Sequence, residues 1–289
     1  MQLQKFHLHE NRPEKVQFEI FPLADYLKGR SHNTQRPHVH SFYQILWFRF
    51  GRGQHFVDFN GYDVVENSIF FIAKGQIHHF DEAAYDGYII HFNESFLSAN
   101  ENDIHVFLKH TIFHSFEKEP VFTLNEPKCN ELDTICLQMH AEITQPHEFA
   151  HCDYLTHLLH LFLIIIQRYG LRHNCAGLNM NKISHILFVK FRNLIEENYK
   201  QLHTVTEYAQ LLHVSNKTLT NTTNEIAHAT PLEIINDRII LEARRLLSYS
   251  QSSIAEIGYQ LGFEDPSYFI KYFKRQTGVL PGEFRKVIS

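Results

Sequence analysis

Hydrophobic and polar positions change period along the chain. Between about Val16 and Phe96, short runs rich in Phe, Tyr, Val and Ile alternate with turn residues: Phe42 to Phe50, His55 to Phe59, Ile69 to Ile72 and Tyr88 to Phe92. Gly51, Gly53, Asn60-Gly61, Gly75 and Gly87 punctuate them. Strands this short and frequent predict a sandwich or barrel, not βαβ units. Asn60-Gly61 predicts a hairpin turn. From about Glu131 to Tyr169 the period becomes helical, with Leu132, Ile135 and Met139 on one face. A second helix carries Leu155, Leu158, Leu159, Phe162, Ile165 and Ile166, apolar on more than one stripe. Burial on two sides is expected, against its own domain and a partner subunit; the alternative is a helix buried wholly within one chain. Leu171 to Asn181, with Gly170 and Gly177, reads as a linker, and everything after it as helical.

The last hundred residues contain an internal repeat. Thr204-Val-Thr-Glu-Tyr-Ala-Gln-Leu-Leu212 matches Ser253-Ile-Ala-Glu-Ile-Gly-Tyr-Gln-Leu261. Each opens with Ser or Thr and has Glu three residues later, the pattern of a capping box. A short turn follows each, and Ser215 and Asp265 are the expected N-caps of second helices. Pro266 then sits at the first helical position, where a missing N–H is harmless. Each unit is therefore helix, tight turn, helix, the geometry that projects a helix into a DNA major groove. A helix from about Pro231 to Tyr249 joins the copies, with Leu232, Ile235, Ile239, Ala243, Leu246 and Leu247 on its apolar face. Such a stiff connector would hold the two reading helices about 34 Å apart, the spacing of successive major grooves.

Composition sharpens this division. The 289 residues are 44% apolar and 20% charged, ordinary for a folded protein, and the length suits two domains. Net charge is −5, but residues 181–289 hold 13 Lys and Arg against 11 Asp and Glu, net +2. The remaining 14 and 21 give −7 before residue 181, where 18 of the 22 histidines also lie. The longest apolar run, Leu161 to Ile166, is far short of the roughly 20 residues of a membrane span. The polar start predicts no signal peptide. Cys129, Cys136, Cys152 and Cys175 lack C-x-x-C spacing, which suits free thiols in a reducing cytoplasm.

Residues from about 190 to 286 resemble the DNA-binding domain of AraC/XylS-type transcription regulators. The resemblance rests on Ile254-Ala-Glu-Ile-Gly-Tyr-Gln-Leu-Gly-Phe263, Asp265-Pro-Ser-Tyr-Phe269, Phe273-Lys-Arg-Gln-Thr-Gly278, Pro281, Phe284-Arg285 and the connector Arg238-Ile-Ile-Leu-Glu-Ala-Arg-Arg-Leu-Leu247. The second reading helix, Pro266 to Thr277, is expected to bury Phe269 and Phe273 and to expose Ser267, Ile270, Lys271, Lys274 and Arg275. Its cations suit phosphates or a guanine edge, and Ile270 a thymine methyl. The first copy departs from the family, with Thr223-Asn224 in place of the usual Phe-Lys and His228 in place of Gly. Its candidate contacts are Asn216, Lys217, Thr220, Asn221 and Asn224, the asparagines suiting adenine edges.

In the β region, Arg36-Pro-His-Val-His40, Gln44 and Gly51, followed by Gly75-Gln-Ile-His78, resemble the two cupin motifs. Spacing is kept, but Gln44 replaces the acid and Ala73 the proline. The resemblance implies a cupin-like β-barrel over roughly residues 16–96, which in AraC-type regulators usually holds an effector. By strand parity His38, His40, Phe42, Gln44 and Leu46 share a face. His38, His40, Gln44 and His78 are the candidate effector contacts. His38, His40 and His78 are also capable ligands for zinc, iron, copper or nickel, although no cofactor is required by this reading. Phe42, Tyr43, Phe48, Phe70, Phe80 and Tyr88 are the expected aromatic lining, or an ordinary barrel core.

The chain thus reads as an α+β two-domain protein. Residues 1–170 form a cupin-like barrel with following helices at about 131–169, for effector binding and dimerisation. Residues 171–182 are the linker and 183–289 an all-α tandem helix-turn-helix domain. The expected protein is a cytoplasmic homodimeric regulator, not an enzyme. It would bind promoter DNA and a small effector, with activator and hence RNA polymerase contact as the family-based expectation and no membrane partner. The rivals are a metal-dependent cupin enzyme, a dioxygenase or isomerase, and a metal-sensing regulator using the same three histidines.

Overall fold

The computed structural model describes residues 3–10, 12, 15–97, 120–124, 126–145, 149–174 and 183–288. The chain divides into two compact units, residues 4–177 and 178–289, each with its own core.

Two five-stranded sheets make the first unit. One has the order β1 (Gln4–Phe6), β3 (His38–His40), β8 (Ile77–Phe80), β5 (Gly53–Val57), β6 (Asn60–Val64). The other runs β10 (Val121–Thr123), β7 (Ser68–Ile72), β4 (Tyr43–Phe50), β9 (Asp86–Phe92), β2 (Phe18–Pro22). Successive residues of β4 point to opposite faces. Leu46 and Phe48 therefore join Phe70, Ile72, Phe80 and Ile89 in the interior cluster. Tyr43, Ile45 and Trp47 face away, packed with Ile90 and Phe92 in the larger cluster. That outer face is covered by two helices, so β4 is apolar throughout.

Three expectations about the β region are corrected. The hairpin joining β5 and β6 exists, but Val57 pairs with Asn60, so the turn is Asp58-Phe59 and Asn60-Gly61 open the next strand. Asp58 takes the left-handed conformation, φ 54°, which Asp tolerates through its short polar side chain. Tyr43 and Tyr88 do not line the interior: strand parity sends both to the helix-covered face. A helix, α1 (Leu23–Thr34), interrupts the stretch expected to be all β, and its Leu23, Tyr26 and Leu27 pack on the interior cluster.

After a single helical turn, α2 (Glu94–Leu97), come the covering helices α3 (Glu126–Ile143) and α4 (His151–Asn174). Leu132, Ile135 and Met139 meet Leu155, Leu158, Leu159, Phe162, Ile165 and Ile166 in one core with the outer face of β4. All six α4 residues expected at a partner subunit are buried inside this chain, none more than 8% exposed. Their width reflects contact with both α3 and the sheet, so the stripe is not a dimer surface. Among the described side chains of these two helices, Leu137, Tyr154 and Leu161 are large, apolar and exposed. α4 runs through Gly170 to Asn174, past the expected start of the linker at residue 171, because one glycine inside a long helix costs only about 1 kcal/mol. The rest of that linker, residues 175–182, lies outside the described residues.

The second unit is helical throughout its described residues: α5 (Ile183–Asn198), α6 (Val205–Leu211), α7 (Asn216–Ala227), α8 (Pro231–Tyr249), α9 (Ile254–Gln260), α10 (Pro266–Thr277) and α11 (Pro281–Ile288). Both expected capping boxes are present, Thr204 with Glu207 and Ser253 with Glu256. A third, Thr230 with Glu233, starts the connector α8 behind Pro231. Of the connector's expected apolar face, Ile235, Ile239, Ala243 and Leu247 are buried, Leu246 is half-buried and Leu232 is exposed. Phe191 and Ile195 of α5, Tyr208 and Leu219 of the first copy, and Ile257, Phe269 and Phe273 of the second share one core with α8.

Candidate functional sites

The two helix-turn-helix copies place their second helices by the same devices. Ser215 and Asp265 cap α7 and α10, accepting from the backbone N–H of Thr218 at 3.0 Å and of Ser267 at 2.8 Å. A left-handed residue makes each tight turn, His213 (φ 54°) in one and Gly262 (φ 83°) in the other. A Cβ on Gly262 would collide with the Lys200 carbonyl oxygen, so that turn admits no side chain.

On α10, Phe269, Tyr272 and Phe273 are buried, and the Tyr272 hydroxyl donates to Asn236 Oδ1 on the connector at 2.9 Å. Ser267, Lys271, Lys274 and Arg275 are exposed and Ile270 is half-buried. The exposed face carries three cations and no acid; Tyr268, 53% exposed, extends it and was not singled out from sequence. On α7, Asn216, Lys217, Asn221 and Asn224 are exposed and Thr220 is half-buried. Two of these polar groups are already engaged. Asn216 Nδ2 donates to Thr206 Oγ1 at 3.0 Å, and the Thr220 hydroxyl to the Asn216 carbonyl at 2.8 Å. Thr223 occupies the buried place that Phe273 fills in the second copy, its hydroxyl donating to the Thr220 carbonyl at 3.2 Å. Its burial is thus polar-satisfied but supplies less apolar area.

The barrel interior brings histidines together. His38 and His78 lie directly opposite on β3 and β8, and His40 is two residues along β3 on the same face. Their ring centroids are 4.3 to 4.9 Å apart, and one nitrogen from each lies within 4.8 Å of the others. All three are buried. Two further buried histidines were missed from sequence. His55 on β5 approaches His78 Nδ1 with its Nε2 at 3.3 Å. His91 on β9 lies 3.5 Å from the Glu19 carboxylate. Parity along β5 put His55 beside the inward Val57, but nothing local said which face was interior. Gln44 is buried with the histidines in the interior, opposite His91 in the β4–β9 register.

Burial holds His38 down to about 4, partly opposed by its hydrogen bond to the Arg36 carbonyl. Burial also pushes His55 and His78 well below the ordinary imidazole value, and neighbouring histidines add to the effect. These rings are neutral near pH 7, the form that offers a lone pair.

Comparison with known proteins bears on both units. The family described as AraC-like ligand binding domain matches residues 25–160, and that described as helix-turn-helix domain matches residues 208–287. The HTH-type transcriptional regulator YisR of Bacillus subtilis strain 168 is 33% identical over 95 residues, a span covering 33% of this chain and 33% of the relative's own length. YfiF of the same organism, also an HTH-type transcriptional regulator, is 24% identical over 263 residues, 89% of this chain and 81% of the relative. The HTH-type transcriptional activator RhaS of Enterobacter sp. strain 638 is 22% identical over 266 residues, 86% and 87% of the two chains.

Proposed function

Because this chain belongs to the AraC family of transcription regulators, with an AraC-like ligand-binding domain and a helix-turn-helix DNA-binding domain, we propose that it is an effector-responsive activator acting as a cytoplasmic homodimer on promoter DNA. In this reading α10 and α7 enter successive major grooves on one face of the duplex. The barrel ligand acts by binding two arrangements of the regulator unequally, since a ligand of equal affinity for both shifts nothing. An activator would also contact RNA polymerase. We assign the chain no catalytic step.

The observation that carries this reading is the exposed face of α10, where Ser267, Lys271, Lys274 and Arg275 stand over buried Phe269 and Phe273. α10 supplies most of the phosphate affinity, because α7 has only Lys217 and the opposing Glu225 as charges. Exposed Asn221 and Asn224 supply weaker, base-directed contact. The test is a mobility-shift titration against the promoter beside the protein's own gene, repeated over a range of salt. Lys271→Ala is expected to weaken binding on all sequences and to reduce the salt slope by about 1. Asn221→Ala is expected to leave the slope unchanged and cost discrimination at one base pair. A larger affinity loss and slope change for Asn221→Ala would overturn this division, and no promoter binding at all would overturn the regulator reading.

A further inference from the structure

We propose that sequence discrimination by this chain resides in the atypical first copy, where Asn221 and Asn224 read the adenines of two adjacent A·T pairs in the major groove. The operator is then asymmetric, with a fixed A·T step under α7 and a tolerant half-site under α10. The proposal deepens the DNA-binding reading above, on which it rests, by naming the bases that the operator carries.

The register of the two copies is the first observation. α7 (Asn216–Ala227) and α10 (Pro266–Thr277) are both 12 residues long and start directly after their caps, so each position of α7 has its counterpart 50 residues on, 216 with 266. Lys217, Asn221 and Asn224 follow the spacing i, i+4, i+7 and form one stripe, on the side away from buried Leu219 and Thr223. In α10 the same stripe is Ser267, Lys271 and Lys274, and Arg275 stands where α7 has Glu225. Between the copies, asparagine thus replaces lysine twice and an acid replaces a base once.

The second observation is which amides are committed elsewhere. Asn216 Nδ2 donates to Thr206 Oγ1 and the Thr220 hydroxyl to the Asn216 carbonyl, so these two groups brace α7 against α6 and against its own first turn. The carboxamides of Asn221 and Asn224 are exposed and have no hydrogen-bond partner among the described residues. A carboxamide presents an acceptor beside a donor. Adenine alone shows the matching pair in the major groove, the N7 acceptor beside the N6 donor. Lys271 and Lys274 are point charges without that match, and the Ser267 hydroxyl bonds donor and acceptor alike.

Spacing and charge complete the argument. Three residues along a helix rise by about 4.5 Å, whereas base pairs stack at about 3.4 Å. Asn221 and Asn224 therefore meet neighbouring pairs and not the same one. The exposed charges of α7, Lys217 and Glu225, cancel, while α10 carries Lys271, Lys274 and Arg275. Phosphates hold α10 on any duplex and give α7 almost nothing. α7 engages only where base contacts compensate for its docking, so a contact that adds little affinity decides specificity.

The test is a selection by the full chain from duplexes with about 25 randomised base pairs, enough for two successive grooves. The retained pool is expected to fix two adjacent A·T pairs at one place and to vary about one helical turn away. Replacing either adenine by 7-deazaadenine, which removes only the N7 acceptor, is expected to weaken wild type about 5–10-fold, the lower end for one bidentate pair. Asn221→Ala is expected to be insensitive to one replacement and Asn224→Ala to the other. Asn221→Lys combined with Asn224→Lys copies the α10 stripe. It is expected to steepen the salt dependence by about 2 and to erase the A·T preference. A retained pool with no fixed A·T step would overturn the proposal and leave the regulator reading standing. So would a 7-deazaadenine penalty that survives in both alanine variants. No retained duplex at all would overturn the regulator reading itself, and the proposal with it.

Discussion

His228 and Gly278 occupy equivalent places, each ending a reading helix in the left-handed region, at φ 54° and 82°. A β-carbon there is crowded against the following carbonyl, at a cost of roughly 1–2 kcal/mol that glycine avoids. His228→Gly is therefore expected to stabilise the second unit by about 1 kcal/mol, read as a rise in the urea midpoint with unchanged slope. His213 pays a similar cost at the tight turn, where the second copy has Gly262. Together with Thr223 in a core place that holds Phe273 in the other copy, these residues make the first copy the less robust one. The departures from family pattern were visible in the sequence at Thr223, Asn224 and His228. That Thr223 would satisfy its own hydroxyl on the Thr220 carbonyl was not, because it depends on the built helix.

At the scale of elements, α5 and α8 are locked by a buried ionic cluster. Arg238 Nε lies 2.9 Å from Glu196 and Nη1 lies 3.0 Å from Glu242, while the guanidinium sits 3.8 Å from the Tyr199 ring centroid. Burial alone would raise Glu242, but Arg238 and Arg245 hold it below the ordinary carboxylate value. Removing one partner strands the other charges, so Arg238→Ala is expected to cost about 3–5 kcal/mol. Adding Glu196→Gln and Glu242→Gln to that variant is expected to recover part of the loss in chemical denaturation. The capping boxes give an acid signature. Hydrogen bonds to the N-cap residues hold Glu207, Glu233 and Glu256 below the usual 4.5. A depressed carboxylate stabilises the fold above its unfolded value, and the contribution is lost as pH falls through the folded one. Glu256→Gln is expected to lower Tm at pH 7, with the gap to wild type narrowing once pH drops below about 4.5. A gap that stays constant on acidification would refute the role of the ionised carboxylate.

For the whole molecule, assembly is the property most altered by folding. The α4 stripe, expected to be shared between its own domain and a partner, is consumed by α3 and the outer face of β4, as the one-chain alternative had it. A homodimer built on this helix would use Tyr154 and Leu161, one above the other on its exposed side and 45% and 47% exposed. In the proposed homodimer, if wild type sediments as a dimer, Leu161→Glu is expected to lower the sedimentation coefficient to that of a monomer without loss of helical signal, whereas an unchanged dimer would move the interface elsewhere. No described helix is long and apolar enough to cross a membrane.

Local chemistry alone determined a great deal. Ser or Thr three residues before Glu, Pro at the first helical position and apolar spacing of three and four specify the helix pairs and their caps, because each acts within one turn of backbone. The same locality made the exposed cations of α10 and the strand runs of the barrel legible. What only the tertiary structure decided is which neighbour consumes each apolar face and which polar side chains meet across strands. His55, His91 and Glu19 come from strands far apart in sequence, and alternation along one strand states that two faces exist without saying which is inside. Register and layer packing settle that question, and so they alone added His55 and His91 to the motif histidines and closed the α4 stripe against its own chain.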